Sequence, residues 1–444
     1  MQFWSLADYH GAMTKFGCAL LIAISLCHVA RAEPNTKPSK ITIDQNLVLS
    51  IDGRKTFTIG FTVPPAPEAK AWNGKPALEE FRNAGAVFIR TGPMLDPKGE
   101  WAGGWDQRWI DMEKRYMDAA ASAGMYCMPW LKELAHVEEG QSQKEEKLRT
   151  IIRMFKDHPG MGIWKGEDEP QWAELNSKGK KNLLPGMKRV YDIIHKEDPN
   201  HPVWIVQAPR GTVEQLKKHN PAYDIGGVDV YPISYPPGSH VPDDDNKELS
   251  MIGDYAQKMA RVMEGKKPFW FTLQVAWSGV TKPGKTLRFP TFHEQRFMTY
   301  QAIINGARGL IYFGGSLPVT LNERDKELGW NWTHWQRVLR PVIEEVGDKG
   351  QLAEALVQPD SKIAVKASDK SIELCVREVG KDVFVLACSR DPRKTAEIEF
   401  TGLPKDLAAA AVLYESPRRV QAKDGAFRDW FAPYEVHVYR FSRP

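Results

Sequence analysis

The chain has 444 residues, with 60 basic and 56 acidic side chains and a formal net charge of +4. This near balance excludes the concentrated basic face that a nucleic-acid partner requires. The length exceeds what one ordinary domain holds, and the 15 tryptophans and 13 tyrosines supply flat faces of the kind that contact sugar rings, although cores use them too.

The first predicted element is a secretory signal peptide over residues 1–32. Lys15 precedes an apolar run that ends in small residues at Ala30 and Ala32, which is the layout of a cleavage site. A membrane anchor is disfavoured because His28 interrupts the run, which is shorter than the roughly 20 residues of a spanning helix. We therefore expect a secreted or periplasmic protein with no integral membrane segment after cleavage.

The cysteines outside the signal peptide are Cys127, Cys375 and Cys388. At most one disulfide can form among three cysteines, so the hydrophobic core must hold the fold together. Cys375 and Cys388 flank a predicted hairpin turn, and the sequence leaves open whether they are bonded.

From about residue 56 to 350, short apolar runs alternate with longer amphipathic ones. Eight of the apolar runs have the β-branched and aromatic composition of buried parallel strands, bounded by Gly or Pro. They are TFTIGFT, AVFIRTG, MYCMPWL, GMGIWKGEDEP, PVWIVQA, DIGGVDVYP, PFWFTLQVAW and GARGLIYFGG. Eight strand-helix pairs predict an α/β fold, a (β/α)8 TIM barrel over residues 33–352.

An open, doubly wound parallel sheet is the alternative for this region. Such a sheet usually carries a glycine-rich phosphate turn after its first strand. Here the first strand ends in GFTVPPAPEA, so no dinucleotide-binding fingerprint is present.

After about residue 352 the pattern changes to six short alternating segments broken by Gly, Pro and Asp. Almost no helical periodicity remains in them. This pattern predicts a C-terminal all-β sandwich domain over residues 353–444, packed directly on the barrel.

In a barrel of this kind the active site lies where the strands end, so the last residues of each run are the candidates. These positions collect polar and aromatic side chains on otherwise apolar strands. In strand order they are Arg90; Trp130 and Glu133; Glu167, Asp168 and Glu169; Gln207; Asp229 and Tyr231; Gln274 and Trp277; and Tyr312.

The fourth strand runs into three adjacent acids in the stretch WKGEDEP. Neighbouring carboxylates and apolar walls such as Trp164 and Trp172 raise the pKa of a carboxyl group, which suits Glu169 to the role of a proton donor. If the strand stays regular, Glu167 and Glu169 share a face and couple in titration. The competing interpretation is that a helix start favours acids and Pro170 stops the strand.

The order of elements, the strand ending W-x-x-E-D-E-P and the approach Y-Q-A-I-I-N-G-A-R-G-L-I-Y-F to strand eight resemble the large clan of barrel glycoside hydrolases. The resemblance covers roughly residues 50–350. It implies an acid/base glutamate at Glu169, although the clan usually has Asn before it and this chain has Asp168. Where the clan has a nucleophilic glutamate after strand seven, this chain has Gln274, and an amide cannot form a glycosyl ester.

Three outcomes remain open for the second catalytic group. Asp229, a charged residue in an apolar strand, is the first candidate to activate water, with Glu133 a weaker candidate for the same role. A substrate group could instead act as internal nucleophile, oriented by Gln274 or Asp229. Alternatively the site binds sugar without cleaving it, and Asp229 forms a structural pair with Arg90.

The sequence therefore predicts an exported glycoside hydrolase that acts on an oligo- or polysaccharide, with Glu169 and Asp229 as catalytic residues. The predicted substrate-binding residues are Asp168, Gln274, Trp130, Trp277, Tyr231, Arg90, Glu133 and Tyr312. The histidines and cysteines lack metal-binding spacings, so neither a metal nor an organic cofactor is implied. The alternatives are a carbohydrate-binding protein on a degenerate glycosidase barrel and a structural protein whose three adjacent acids lie buried beneath loops.

Overall fold

The computed structural model describes residues 33–94, 103–208, 210–238, 241, 243–275, 286–287, 289–314 and 332–444. These residues belong to one compact unit, Ala32–Pro444. The predicted signal peptide and Trp277 lie outside the described residues.

The described chain opens with a small antiparallel sheet of three strands, β1 (Ile41–Ile43), β2 (Leu49–Ile51) and β3 (Arg54–Lys55). Ile41, Leu49 and Ile51 are buried in one apolar cluster with Trp204 and Trp270, which belong to strands further along the chain. Burial of these side chains attaches the first sheet to the main body of the protein.

Ten strands follow before residue 314, and eight of them are parallel to their neighbours. In chain order the ten are β4 (Thr58–Phe61), β5 (Phe88–Thr91), β6 (Tyr126–Pro129), β7 (Trp164–Asp168), β8 (Val203–Val206), β9 (Gly226–Val230), β10 (Ser234–Tyr235), β11 (Phe269–Gln274), β12 (Thr286–Leu287) and β13 (Gly309–Phe313). Strands β10 and β12 form a separate antiparallel pair.

The parallel strands form a six-stranded sheet, in the order β6-β5-β4-β13-β11-β9, and a two-stranded sheet, β7-β8. Isolated parallel bridges join Cys127 to Met161 and Trp130 to Lys165, on the β6 side of the pair. On the β9 side, similar bridges join strand β8 and its neighbour Gln207 to the segment of strand β9. The carboxyl ends of all eight strands therefore lie at one edge.

Helices alternate with these strands, as the amphipathic runs predict. They are α1 (Ala77–Ala84), α2 (Gln107–Ser122), α3 (Ser142–Phe155), α4 (Pro170–Asn176), α5 (Leu184–Glu197), α6 (Val213–Lys217), α7 (Met251–Met263) and α8 (Phe292–Ile304). Helical turns continue through Trp332–His334, Trp335–Leu339, Arg340–Val346 and Ala353–Leu356.

Local signals fix several helix ends. The Asp106 side chain caps α2 by accepting a hydrogen bond from the Trp109 N–H at 3.0 Å. Helix α8 begins with a capping box in which Thr291 and Glu294 satisfy each other's backbone N–H groups. Helix α1 ends at Gly85, whose φ of 113° lies in the left-handed region that favours glycine.

The segment after residue 365 forms two antiparallel sheets. Its strands are β14 (Lys366–Ala367), β15 (Ile372–Val379), β16 (Asp382–Ser389), β17 (Ala396–Thr401), β18 (Ala409–Leu413), β19 (Arg419–Gln421), β20 (Ala426–Phe431) and β21 (Val436–Ser442). The sheet orders are β14-β17-β20 and β15-β16-β21-β18-β19. Apolar side chains from both sheets, including Phe400, Phe427 and Tyr439, share one buried cluster.

Helix α8 connects the parallel region to these antiparallel sheets. Every residue from Gln295 to Ile303 is buried, because the parallel strands cover one side of the helix and the C-terminal strands cover the other. The Arg296 Nη1 group donates to the Val436 carbonyl at 2.7 Å, and the Gln301 amide donates to Glu373 at 2.9 Å. The direct packing that the sequence predicts for these two regions is therefore present.

Each of the eight apolar runs contains a parallel strand, and each predicted helical run contains a helix. The protein is accordingly a mixed α/β protein with a parallel sheet and additional antiparallel sheets. Strands β1 to β3, β19 and β20, and helix α4, are elements that the sequence does not predict. Among the described residues, no helix is long and apolar enough to cross a membrane.

Candidate active site

The centre of the site at the strand ends is a pair of neighbouring carboxyl groups, Glu169 and Asp229, each of which influences the pKa of the other. Glu169 follows strand β7, and its N–H donates to the Val206 carbonyl at 2.8 Å. Asp229 lies in strand β9, and its N–H donates to the Gln207 carbonyl at 3.3 Å. Two neighbouring carboxylates repel each other when both are ionised, so the pair favours a state in which one carboxyl group keeps its proton.

Burial is the main cause of the raised pKa values of this pair. Burial, together with the adjacent Asp168 charge, raises the pKa of Glu169 to about 7. Burial and the charges of Glu169 and Asp168 raise the pKa of Asp229 well above its ordinary value, although Tyr231 donates to Asp229 Oδ2 at 3.0 Å. The pair therefore retains a proton near neutral pH, as a general acid must.

The backbone of Glu169 is unusual for a residue with a side chain. Its φ of 50° and ψ of 48° lie in the left-handed region, which costs a non-glycine residue on the order of 1–3 kcal/mol. This conformation, and an irregular register between Lys165 and Asp168, break the side-chain alternation of strand β7. As a result, Glu169 faces Asp229 rather than sharing a face with Glu167.

Glu167 is therefore not coupled to Glu169 in the predicted way, and its side chain contacts other residues. Glu167 Oε2 contacts His136 Nδ1 at 2.7 Å, and Glu167 Oε1 accepts from the Asp168 N–H at 3.1 Å. The three adjacent acids are each partly exposed, which argues against a structural protein that buries them beneath loops.

Asp168 is the charged carboxylate of the site. Its Oδ1 atom lies 2.9 Å from the ammonium group of Lys165, whose side chain is fully buried. Burial alone would raise the pKa of Asp168, but the charges of Lys165 and Arg90, together with Lys132, outweigh it and lower that pKa. Asp168 thus stays ionised beside a pair that stays protonated, which separates the roles of adjacent acids.

Three cations surround the buried indole ring of Trp130. The guanidinium carbon of Arg90 lies 4.9 Å from the ring centroid, and the ammonium nitrogens of Lys132 and Lys165 lie 4.1 Å and 5.6 Å from it. These are cation–π distances, so the ring holds its cations close to the acids. With a side chain only 7% exposed, Trp130 offers little ring surface to a sugar in this structure.

Gln274, at the end of strand β11, is buried and bonded to the backbone. Its Oε1 atom accepts from the Ile233 N–H at 2.9 Å, and its Nε2 atom donates to the Ile233 carbonyl at 2.8 Å. A carboxylate could make only the first of these bonds. The amide therefore fixes the loop after strand β9, which gives a structural reason for glutamine at this position.

Three other residues predicted to contact substrate, Glu133, Tyr312 and Tyr231, have different partners in the structure. Glu133 Oε1 accepts from the Trp105 N–H at 2.9 Å and binds Lys147 at 3.0 Å, which ties it to neighbouring loops. Tyr312 is fully buried, with its hydroxyl 2.9 Å from Thr299 on helix α8, so it faces the helix layer and not the acid pair. The Tyr231 hydroxyl, by contrast, is bonded to Asp229.

Sequence reasoning missed three side chains of the strand-end site: Lys165, Lys132 and His136. A signal for Lys165 was available, because a lysine inside an apolar strand is costly unless it is paired or used. Lys132 has a φ of 54°, and neither that strain nor the His136 contact with Glu167 can be read from a sequence pattern.

The described residues contain no cluster of three or more His, Cys, Asp or Glu side chains that could hold a metal ion. Cys127, Cys375 and Cys388 are all buried free thiols. Cys375 pairs with Leu386 and Cys388 with Glu373 in the register of strands β15 and β16, so the two sulfur atoms are not directly opposed.

Comparisons with known proteins support the fold alone. No protein-family model matches the chain, and no curated protein matches it. A glycoside hydrolase family 5 structure from Bacteroides vulgatus ATCC 8482 is similar at 12% identity, with a TM-score of 0.58 over 91% of this chain and 94% of that chain. An α-amylase from Geobacillus thermoleovorans, complexed with acarbose, is similar at 9% identity, with a TM-score of 0.56 over 90% and 99%.

A third structure, described as a glycoside hydrolase, is 15% identical with a TM-score of 0.53, over 91% of this chain and 97% of that chain. The three structures match nearly their full lengths, and each belongs to an enzyme that acts on carbohydrate. The chain therefore has a glycosidase-like fold.

Proposed function

We propose that the eight parallel strands close into a (β/α)8 barrel, residues 33–352, and that residues 353–444 form a β-sandwich domain. The isolated bridges on both sides of the β7-β8 pair support closure of the ring. The apolar cluster shared by the two C-terminal sheets supports a sandwich. In this arrangement Glu169 and Asp229 lie at the face where barrel enzymes place their catalytic residues.

The protein is proposed to hydrolyse a glycosidic bond in an oligo- or polysaccharide. The observation that carries this proposal is the Glu169–Asp229 pair at the strand ends, with Glu169 partly exposed and Asp229 buried, whose raised pKa values let it retain a proton near neutral pH. In the reaction Glu169 gives that proton to the leaving oxygen as the bond from the anomeric carbon to this oxygen breaks. A water molecule supplies the hydroxyl group of the new reducing end, and its remaining proton restores the protonated carboxyl pair.

Asp229 is assigned the role of holding and orienting the Glu169 proton. Inverting enzymes separate their two carboxyl groups by about 6.5–9.5 Å to admit a water, and retaining enzymes separate them by about 5–5.5 Å. The raised pKa of the buried Asp229 favours its protonated form, so Asp229 is not the ionised base that would activate a water between the two acids. The group that attacks the anomeric carbon is therefore a water or a substrate group on the face opposite Glu169, rather than a water held between the two acids.

The decisive experiment is sugar release by the purified protein and its Glu169→Gln variant on a panel of polysaccharides. Loss of the general acid is expected to lower the rate by about 10²–10⁴-fold while binding persists. Glu214→Gln, which changes an exposed glutamate on helix α6, is the matched control and should retain the full rate. Unchanged release by the Glu169→Gln variant would remove Glu169 from the mechanism.

The second candidate function is carbohydrate binding without cleavage. The bonding of Gln274 to the Ile233 backbone favours it, because the position of a strand-seven nucleophile is occupied by a structural amide. The same panel separates the two functions. Saccharide binding by the unmodified protein with no release over long incubation would support the binding protein.

We further propose that residues 1–32 are a signal peptide and that the mature protein is secreted or periplasmic. The apolar run and the small residues at Ala30 and Ala32 support this proposal. Expression of the full chain in a bacterial host, followed by N-terminal sequencing of the exported protein, tests it. Processed protein should begin at Glu33, and retention of residue 1 in the exported protein would contradict cleavage.

A further inference from the structure

Three cations, Arg90, Lys132 and Lys165, lie around the Trp130 ring at the strand ends. Lys165 has three oxygen partners, namely Asp168 Oδ1 at 2.9 Å and the backbone carbonyls of Glu167 and Gly166 at 2.9 Å and 3.2 Å. Asp168 forms an ion pair with Lys165, which is its closest cation among the described residues. Arg90 and Lys132 share the same ring and repel each other.

Arg90 is the most unusual of these cations. Its side chain is only 4% exposed, yet its Nε and Nη2 atoms are buried with no hydrogen-bond partner among the described residues. Buried donors normally have partners, and a buried charge without one costs several kcal/mol. The fork of N–H groups in a guanidinium matches the two oxygens of a carboxylate.

The acids of the site do not supply that carboxylate. Asp229 Oδ2 accepts from Tyr231, and Asp229 Oδ1 forms no hydrogen bond within the described part of the chain. Glu167 is bonded to His136, and Glu133 to Lys147 and the Trp105 N–H. Asp168, Tyr231 and Asp229 act on Arg90 through their charge, and within the described residues no hydrogen bond joins any of them to its Nε or Nη2 atom.

We propose that the saccharide bound at this site is acidic, and that the carboxylate of a uronic-acid residue binds to Arg90 with Lys132 beside it. This inference rests on the proposed function, since it names the substrate class of the same site. A neutral sugar could satisfy the N–H groups of Arg90 through hydroxyl oxygens, but it would leave the charge of a buried guanidinium unmatched. A uronate satisfies both the hydrogen bonds and the charge.

The test measures binding of matched oligosaccharide pairs by calorimetry, using the Glu169→Gln variant so that the ligands stay intact. The pairs are oligogalacturonate, oligoalginate and glucuronoxylan oligosaccharides, each beside its carboxyl-reduced counterpart. At least one acidic member should bind about 10-fold or more tightly than its reduced counterpart, with affinity that falls as salt is added. Equal affinity within every pair, or binding to no acidic member, would overturn the inference.

Variants at the two cations sharpen the test. Lys132→Gln should lower the acidic preference several-fold, and Arg90→Gln should abolish it. Lys188→Gln, which removes an exposed lysine paired with Asp192, is the matched control and should change nothing. If Arg90→Gln fails to fold, the Lys132→Gln result decides, and an unchanged preference there counts against the inference.

The result also separates this inference from the proposed function. Cleavage of a reduced, neutral oligosaccharide in preference to its acidic counterpart by the unmodified protein would overturn the acidic substrate and leave the hydrolase intact. Tight binding of an acidic oligosaccharide that the unmodified protein never cleaves would support the acidic ligand and remove the hydrolase.

Discussion

Two buried arginines, Arg296 and Arg90, show how differently this protein treats charge in its interior. Arg296, on helix α8, donates from Nε to both carboxylate oxygens of Glu345, at 3.0 Å and 2.9 Å, and Tyr300 donates to the same carboxylate at 2.7 Å. Arg90, at the strand ends, has Nε and Nη2 atoms without a hydrogen-bond partner in the described part of the chain.

The pKa shifts of the two arginines run in opposite directions for this reason. Burial alone would lower the pKa of Arg296, but Glu345 and Tyr300 outweigh it and raise that pKa. Burial lowers the pKa of Arg90, and Asp168, Tyr231 and Asp229 offset only part of the effect. A charge that stabilises a fold is given its partner, whereas a charge left without one is available to a ligand.

The largest expected effect comes from removing the buried ion pair between Arg296 and Glu345. Arg296→Met should lower the free energy of unfolding by about 3–5 kcal/mol, because it leaves the Glu345 carboxylate buried without its cation. Arg90→Met should lower it by less than half as much, since few direct bonds are lost. Urea denaturation of both variants at pH 7 measures the two values.

The double change Arg296→Met with Glu345→Leu is the control for this prediction. Replacing both members of a buried ion pair by apolar side chains is often nearly neutral, so the double variant should recover most of the lost stability. If Arg90→Met loses as much stability as Arg296→Met, the prediction that Arg90 contributes less to folding than Arg296 is wrong.

A second, smaller effect concerns Gln274, a strand-end residue whose side-chain oxygen and nitrogen are both bonded to the Ile233 backbone. Gln274→Glu places a carboxylate against the Ile233 carbonyl, where the amide now donates at 2.8 Å. We expect a loss of about 1–3 kcal/mol at pH 7, with partial recovery at low pH as the new acid is protonated. Thermal unfolding at pH 5 and pH 7 measures it.

The same variant shows whether position 274 faces the substrate. Gln257→Glu, at an exposed position on helix α7, is the control and should unfold like the unchanged protein. A gain in sugar release by Gln274→Glu would mean that the new carboxylate reaches the anomeric carbon, which contradicts the structural role of the amide.

The sequence predicts the parallel strands well because they are buried on both faces, which gives the continuous apolar runs of PVWIVQA and PFWFTLQVAW. It misses strand β20, where Arg428 and Asp429 interrupt the alternation of AFRDWF. The sequence also predicts that the charged strand-end residues lie together, because the carboxyl ends of parallel strands all lie at the same end of the sheet.

The partners of those residues could not be predicted. The left-handed backbone of Glu169 turns its side chain toward Asp229. The regular alternation of a strand predicts instead that Glu169 lies on the same face as Glu167. Tyr312 follows the rule for strand ends in the sequence, but its ring faces Thr299 on helix α8. Side-chain direction at a strand end depends on local backbone angles, which residue spacing does not specify.

The smallest expected effect is a shift in pH dependence when Asp168 is neutralised. Glu169 must be protonated to act, so the rate should fall as pH rises through its pKa of about 7. Asp168 carries the negative charge that raises this pKa, so Asp168→Asn should lower it. The alkaline limb of kcat/KM should then move to lower pH by about one unit.

Glu167→Gln tests whether this shift is specific to Asp168. It removes a neighbouring carboxylate whose direct partner is His136, at 2.7 Å, and it should leave the alkaline limb near its original position. Thermal unfolding must show that the Asp168→Asn variant is folded at the assay temperature, since Lys165 loses its ion pair. A limb that stays in place or moves to higher pH would mean that Asp168 does not set the proton affinity of Glu169.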